Sequence, residues 1–457
     1  MRKARERMSY DDIRALQLER LRSLVRHAVA NSPFYRRLYS GIDLENFDIT
    51  DLPPISKADL MENFDELLCV RDLTLRELEE FVSDESRAGE LYKDKYVVSH
   101  SSGTTGRPGI FVMNEEEWLE QAALTAAKPG PIQLDWAQLF LLPIRPFFRY
   151  RFTALIATKG HLASHIAYLA APKVKVLFVI TQEIDILSPL DEIIDKLNKF
   201  KPHFMHSYPT LLRELALKKL DGVLNINPRL INVSSEYFAP STEELCLKAF
   251  PNVIIDEVYG ATECMSMGRR CVEGKIHMTC EAAIVEPVDE NDNPVGFGEV
   301  SHHILLTNLF NYTQPLIRYR ISDTITVWPP DRCTCGAPLP VVEVVGRTND
   351  VLRLPKRGGG EVTVLPVHAY IGVHGIEEVE RFQIIHEEPR LVVVRFMCKD
   401  GADADEIRQK IERKLTDVLS ELEADVVVRA ELSEVERDPV SGKFKQVIER
   451  AGAKEGG

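Results

Sequence analysis

Nine consecutive residues, Ser101-Ser102-Gly103-Thr104-Thr105-Gly106-Arg107-Pro108-Gly109, gather four hydroxyls, three glycines and one cation. Hydroxyl and backbone N–H donors beside a fixed positive charge suit a polyphosphate. Glycine lets the backbone close on the anion and adopt positive φ. The stretch lacks the Gly-Lys-Ser/Thr ending of a Walker loop. It lies between the apolar runs Tyr96-Val97-Val98 and Ile110-Phe111-Val112-Met113, with no helix following at once. A polar surface linker has similar composition, but a linker is not expected between two strand-like runs inside a domain-sized segment.

Other short segments carry chemistry of the same kind. Tyr259-Gly260-Ala261-Thr262-Glu263 follows the apolar run Val253-Ile254-Ile255. At the carboxyl end of a strand, such a segment offers a ring to stack on a base, a hydroxyl for a phosphate and a carboxylate for a hard cation such as Mg²⁺. Ser234-Ser235-Glu236-Tyr237 ends another strand-like run. Asp323 follows the alternating Pro315-Leu316-Ile317-Arg318-Tyr319-Arg320-Ile321, where its carboxylate can accept both hydroxyls of a ribose. Gly346-Arg347-Thr348-Asn349-Asp350 reads as an interdomain turn, and Ser441-Gly442-Lys443 sets an ammonium on a glycine-flexed loop.

Cys271 and His277, with Cys333-Thr334-Cys335-Gly336, supply three thiols and one imidazole, a closed tetrahedral zinc set. Spacing alone leaves this set and reduced free thiols both open, because Cys-x-Cys is less usual than Cys-x₂-Cys. Cys264 and Cys280 are nearby alternates, and Cys69, Cys246 and Cys398 read as buried thiols. His203 and His206 lie on a strand pattern before Ser207-Tyr208-Pro209 and read as structural histidines. Pro146-Phe147-Phe148-Arg149-Tyr150-Arg151 fits either an acyl-pocket wall or an aromatic helix start.

The elements that must position these residues follow from periodicity. Residues 9–40 are helical, with Leu21, Leu24, Val25 and Ala28 on one face and a break at Asn31-Ser32-Pro33. Ser56 caps the helix that holds Ala58-Asp59-Leu60. Residues 115–127 are helical. Strands are expected at 139–142, 174–180, 204–206, 230–233 and 253–255, separated by helices at 190–200, 210–219 and 242–250. That alternation implies a largely parallel sheet covered on both faces. Residues 280–345 change to shorter strands with Pro, Gly and Asn turns, an antiparallel or barrel-like part. Beyond about 347 a small α+β unit is expected: a hairpin over 382–396, a helix over 405–422 with Ile407, Ile411, Leu415 and Leu419 in its core, and a strand at 425–428. The fold class is therefore α/β. A large multi-subdomain N-domain over 1–346 combines mostly parallel sheets with a small barrel-like part, and a small mobile α+β C-terminal domain spans 347–457.

Composition limits the functions. The chain has 457 residues, 44% hydrophobic and 28% charged, in the range of ordinary globular proteins. A net charge of −14 argues against a nucleic-acid surface but leaves nucleotide binding open. No apolar run is long enough to span a membrane, and the basic Met1–Arg7 stretch does not lead into a signal-like apolar core. Eight scattered cysteines do not make a disulfide framework. The expectation is a cytoplasmic enzyme with no nucleic-acid or membrane partner.

The order and spacing of these motifs resemble the adenylate-forming superfamily of acyl-CoA synthetases, peptide-synthetase adenylation domains and luciferases. The segment from Leu21-Arg22-Ser23-Leu24-Val25 through Ser32-Pro33-Phe34-Tyr35 to Pro54-Ile55-Ser56-Lys57-Ala58-Asp59-Leu60 is similar to the phenylacetate–CoA ligase subgroup. The resemblance spans about residues 15–450, and it implies that Ser207-Tyr208-Pro209, with His203 and His206 ahead of it, borders the acid pocket. It implies that Ser102, Thr104, Thr105 and Arg107 hold the ATP β- and γ-phosphates, that Tyr259 flanks the adenine and that Glu236 lines its pocket. Thr262 would touch the α-phosphate, Glu263 would bind Mg²⁺, Asp323 would take the ribose hydroxyls with Arg347 in support, and Lys443 would stabilise charge during adenylation. It further implies structural Zn²⁺ on Cys271, His277, Cys333 and Cys335, remote from catalysis. Cofactors are then ATP, Mg²⁺ and coenzyme A, and the substrate is a small carboxylic acid, aryl acids included. A carrier protein and a second copy of the chain stand as further partners. The chain departs from the family pattern at Arg107, where lysine is commoner, at Asn349 in the hinge, and in the basic loop Lys356-Arg357-Gly358-Gly359-Gly360-Glu361. Two alternatives stay open: a sister ligase that passes the acyl group to an amine, hydroxyl or carrier-protein thiol, and a nucleotide-binding protein that has lost catalysis.

Overall fold

The structure, a computed structural model, describes residues 8–101, 108–126, 150–158, 160–169, 179–347, 352–364, 373, 376, 378–399, 401–436 and 447–451. Expectations for Ser102, Thr104, Thr105, Arg107, residues 139–142, Pro146 to Arg149, residues 174–178, Asn349 and Lys443 fall outside these residues.

The N-terminal helix Tyr10–Asn31 starts at Ser9, whose hydroxyl accepts from the Asp12 N–H while Asp12 caps the Ser9 N–H. It ends where the sequence break lies, and Ser32 caps a second helix, Pro33–Leu38, with proline in its first turn. Leu21, Leu24, Val25 and Ala28 are buried in the larger of the cores. Strands β1 (Tyr96–His100) and β2 (Ile110–Asn114) form an antiparallel pair that frames the Ser/Thr/Gly loop. The helix Glu115–Ala126 follows.

The central sheet has nine strands. Strands β3 (Tyr150–Ile156), β4 (Val179–Asp185), β5 (Phe204–Ser207), β6 (Leu230–Val233) and the first half of β7 (Ile254–Ala261) pair in parallel, in the lateral order β4-β3-β5-β6-β7. Helices Leu190–Phe200, Pro209–Leu220 and Pro240–Ala249 alternate with them, close to the expected bounds. Their apolar faces share one core with Met205, Ile231, Val233 and Ile255. The sheet then turns antiparallel. Strand β7 pairs with β8 (Cys264–Arg270), and β8 with β9 (Ile276–Met278). Strands β10 (Ala283–Val288), β11 (His303–Asn308) and β12 (Tyr319–Ile321) make a separate three-stranded antiparallel sheet. Strand β13 (Asp323–Trp328) pairs with β14 (Val341–Arg347), which returns to the edge of β9. The barrel-like part of the expectation is thus an open sheet: among the described residues no barrel closes.

Strands β15 (Leu352–Pro355) and β16 (Glu361–Val364) form a hairpin, and Lys356 at its tip pairs with Glu423 at 2.6 Å. Strands β17 (Val379–Glu388), β18 (Leu391–Cys398), β19 (Val427–Leu432) and β20 (Val447–Glu449) make a four-stranded sheet in the order β19-β18-β17-β20. The helix Ala404–Glu421 buries Ile407, Ile411, Leu415 and Leu419, the expected stripe. This core draws only on residues from Leu352 onward. Arg381 on β17 reaches Glu214 on the helix Pro209–Leu220 at 2.7 Å.

Candidate active site and candidate metal centre

Strand β7 does not stop at Ile255 as the sequence suggested. It continues to Ala261, and Ala261 pairs with Cys264 of β8, so Thr262 and Glu263 are the two-residue tip of a hairpin. The physical reason lies at Gly260. A Cβ there would stand 2.4 Å from the Met265 carbonyl oxygen, so only glycine lets the two strands approach. A glycine that reads as a turn from sequence is here a strand residue under a close backbone contact. The Glu263 carbonyl accepts from Asn308 Nδ2 at 2.9 Å, which ties the tip to β11.

Asp323 opens β13 rather than closing the strand before it. Its Oδ2 accepts from the Tyr259 hydroxyl at 3.0 Å, with Tyr259 and Asp323 both buried. The β13–β14 register sets Arg347 opposite Asp323. Gly346 and Arg347 therefore belong to β14 and not to a turn, and the Arg347 side chain falls outside the described residues. Strands β7, β13 and β14 thus bring three of the sequence candidates together at one end of the antiparallel half-sheet. Glu236 lies after β6 and accepts from the Thr210 N–H at 3.0 Å and the Thr210 hydroxyl at 2.7 Å, which fixes it over the start of the helix Pro209–Leu220.

Lys57 was not among the candidates. It opens the helix Lys57–Glu62, behind the Ser56–Asp59 capping box. Its Cε would lie 3.5 Å from a Cβ on Gly109, the last residue of the Ser/Thr/Gly loop. Burial pulls its ammonium below the usual lysine range, and the Glu263 carboxylate opposes that shift. A half-buried cation thus sits near Gly109 and within the field of Glu263 at the hairpin tip, and no carboxylate within ion-pair distance neutralises it among the described residues. Tyr319, which meets Phe111 edge-on at 6.3 Å between ring centroids, is pushed upward by burial and by the same Glu263.

At the opposite ends of these strands the structure assembles the Cys/His set. One donor atom from each of Cys271, His277, Cys333 and Cys335 falls within 4.8 Å of every other. Cys271 Sγ and Cys333 Sγ are 3.7 Å apart, and Cys335 Sγ lies 3.3 Å from His277 Nε2. A tetrahedral ion with Zn–S bonds of about 2.3 Å sets donor–donor separations of about 3.8 Å. The donors therefore fit a small tetrahedral cation. His277 Nδ1 meets the Leu339 carbonyl at 2.8 Å, which makes Nδ1 the protonated nitrogen and turns the Nε2 lone pair toward the thiols. The Ala337 N–H donates to Cys335 Sγ at 3.4 Å, across Gly336 at φ +79°. Without a cation, burial and the neighbouring cysteines push the Cys335 thiol up to about 12. Cys264 takes a different partner, Gln121 Nε2 at 3.6 Å, and Cys280 lies outside the set. Cys246 is buried as expected, while Cys69 and Cys398 are half-buried.

Two adjacent arginines join the centre to the sheet. Arg269 makes a two-pronged pair with Asp256, at 2.9 Å for each bond. Arg270 pairs with Glu243 and reaches Glu257 at 3.5 Å. Burial pushes the Glu257 carboxyl up to about 7, against the pull of Arg270.

No protein-family model matches the chain. Among curated proteins it is 20% identical over 427 residues to the protein CapK of Staphylococcus aureus, covering 89% of this chain and 83% of that one. It is 24% identical over 368 residues to a phenylacetate–coenzyme A ligase of Aromatoleum evansii, covering 76% and 73% of the two chains. With a phenylacetate–coenzyme A ligase of Thermus thermophilus it shares 26% over 407 residues, covering 83% and 79%. Its fold matches that of a 2-hydroxyisobutyryl-CoA ligase in the postadenylation state in complex with 2-HIB-AMP, with a TM-score of 0.70 at 16% identity, over 96% of this chain and 90% of that one. The anthranilate CoA ligase AuaEII in complex with anthranoyl-AMP matches with a TM-score of 0.53 at 16% identity, over 76% and 65% of the two chains. In fold the protein is similar to adenylate-forming CoA ligases. In sequence it is similar to phenylacetate–CoA ligases, as its motifs imply.

Proposed function

We propose that the protein is an AMP-forming acid–thiol ligase: it joins a small carboxylic acid, aryl acids included, to the α-phosphate of ATP and passes the acyl group to coenzyme A. The observation that carries this reading is the convergence of Tyr259, the Thr262–Glu263 tip, Asp323 and Lys57 beside the Ser/Thr/Gly loop. The acyl adenylates and coenzyme A bound by the structural neighbours, and the names of the curated relatives, support it.

In this reading Ser102, Thr104, Thr105 and Arg107 hold the β- and γ-phosphates, and Thr262 touches the α-phosphate. Glu263 holds Mg²⁺, Asp323 takes the ribose with Arg347 in support, and Glu236 lines the base pocket beside Tyr259. The acid carboxylate attacks the α-phosphorus and pyrophosphate leaves. No protein nucleophile is needed, and the residues orient the reactants and neutralise charge. Lys443, on a C-terminal domain that we begin at 347, supplies the ammonium for that step. Zn²⁺ is the cation we assign to Cys271, His277, Cys333 and Cys335, where it ties β8 and β9 to the segment after β13. Its thiols bind metal only when reduced, which suits a cytoplasmic setting.

Acid-dependent exchange of labelled pyrophosphate into ATP tests the first half-reaction, and thioester formation on adding coenzyme A tests the second. No exchange across a broad panel of acids would leave a nucleotide-binding protein that has lost catalysis. Exchange without thioester would redirect the acyl group to an amine, hydroxyl or carrier-protein thiol.

A further inference from the structure

Strand β2 has a strand on one side only, since β1 and β2 form a two-stranded sheet. Its other edge would leave backbone groups without a ladder. Amide side chains fill that edge in place of a strand. The Val112 N–H donates to Gln314 Oε1 at 3.0 Å, and Gln314 Nε2 donates to the Ile110 carbonyl at 3.2 Å. Asn311 Nδ2 donates to the Val112 carbonyl at 3.0 Å, and its Oδ1 accepts from the Gln314 N–H at 2.7 Å. Glu117 closes the frame by accepting from the N–H groups of Asn114 and Tyr312. Asn311 and Gln314 are buried, and each amide both donates and accepts. A satisfied buried network of this kind is rigid, so the segment 309–316 and β2 move as one piece.

The same segment reaches the hairpin tip through Asn308, the last residue of β11 and fully buried. The Asn308 N–H donates to the Leu316 carbonyl at 3.1 Å, which fastens it to the far end of the segment. Its side chain then works in two directions. Oδ1 accepts from the Phe310 N–H at 3.1 Å, and Nδ2 donates to the Glu263 carbonyl at 2.9 Å. The Ala261–Cys264 pairing fixes the two-residue tip along its own strands. A ladder does not set how far such a tip tilts out of its sheet. The bond from Asn308 supplies that constraint.

We propose that Asn308 is a positioning residue for adenylation: its amide fixes the tilt of the Thr262–Glu263 tip, and so the place of the Glu263 carboxylate relative to β2. The inference rests on the adenylation reading, in which Glu263 holds Mg²⁺, and adds a residue outside every motif of that reading. A single carboxylate suits Mg²⁺, which keeps several waters and takes few protein ligands. Asn308 acts through the tip, so its loss should fall on turnover and on metal use while acid affinity is spared. A misplacement of about 1 Å can cost about a hundredfold in rate.

The test uses Asn308→Asp, which keeps the acceptor for the Phe310 N–H and removes the donor to Glu263. In acid-dependent pyrophosphate exchange, kcat should fall at least about tenfold while the KM for the acid stays within about twofold. A second readout needs no turnover. The rise in melting temperature that Mg²⁺ adds to the rise given by ATP alone should shrink by at least about half. Asn311→Asp makes the same replacement against Val112 instead of Glu263. It loosens the segment without touching the tip, so its kcat should stay within about threefold of the unmutated protein. A smaller kcat loss in Asn308→Asp, an equal loss in both variants, or a Mg²⁺ increment that survives overturns the proposal and leaves the adenylation reading standing. No exchange by the unmutated protein with any acid overturns both. Should Asn308→Asp not fold, hydrogen exchange of the unmutated protein decides. ATP with Mg²⁺ should slow exchange at the Phe310 N–H more than ATP with a chelator, and equal rates overturn the proposal.

Discussion

Lys57 shows how a residue can have a complete local explanation and still belong to a site. Its neighbours Ser56 and Asp59 form a capping box, which accounts for the segment as a helix start. The ammonium itself has no such account, since it rests half-buried beside Gly109 and within the field of Glu263. A cation there, with no ion-pair partner among the described residues, costs stability in the free protein and is compensated when phosphate arrives. Lys57→Met should therefore raise the KM for ATP in pyrophosphate exchange by tenfold or more while leaving the melting temperature unchanged or higher. A variant with unaltered ATP dependence would remove Lys57 from the site. The Tyr259–Asp323 bond makes the complementary prediction. Tyr259→Phe takes a donor from a buried carboxylate, so the urea midpoint should fall by the equivalent of about 1–2 kcal/mol, and ATP should restore part of the loss.

At the scale of elements, β8 and β13 each join two kinds of chemistry. β8 begins after the Thr262–Glu263 tip and leads to Cys271, and β13 begins at Asp323 and leads to Cys333. Seven residues of strand set the two ends of β8 about 20 Å apart. Purified protein is expected to hold close to one equivalent of zinc. Cys333→Ser should lose most of it and lower the melting temperature, and an equal melting temperature with and without metal would make the centre dispensable to the fold. How much of this was legible in the sequence depends on the range of the determining contact. The helix Leu190–Phe200 and the stripe Ile407, Ile411, Leu415 and Leu419 are written in local periodicity, and both appear as expected. The continuation of β7 through Tyr259-Gly260-Ala261 was not legible, because the reason for Gly260 is a carbonyl on the opposing strand. Asp323 and Tyr259 were each visible from their motifs, and so were the four members of the Cys/His cluster.

For the molecule as a whole, burial of charge in the central sheet sets a pH dependence. Glu257 is raised from its ordinary 4.5 to about 7, so the folded state holds a proton that the unfolded chain releases. Its contribution is present in full below pH 4.5 and is lost as pH rises through 7, a decline on the order of 3 kcal/mol. Glu257→Gln should flatten that slope in denaturation curves taken at pH 4.5 and 7.5, and an unchanged slope would assign the dependence to other groups. On the same scale, Arg381 and Glu214 link the C-terminal sheet to the helix Pro209–Leu220, whose Thr210 also holds Glu236.

Neighbouring residues on a strand point to opposite faces of its sheet. Arg269 and Arg270 are neighbours, and their carboxylates, Asp256 and Glu257, are neighbours as well. If β8 slipped by one residue against β7, each guanidinium would swing to the wrong side and both pairs would open together. The two arginines therefore work as a two-pin key. Only one alignment seats both pins, and in that alignment Cys271 meets its three companions at one end of the strand while Glu263 stands at the hairpin tip at the other.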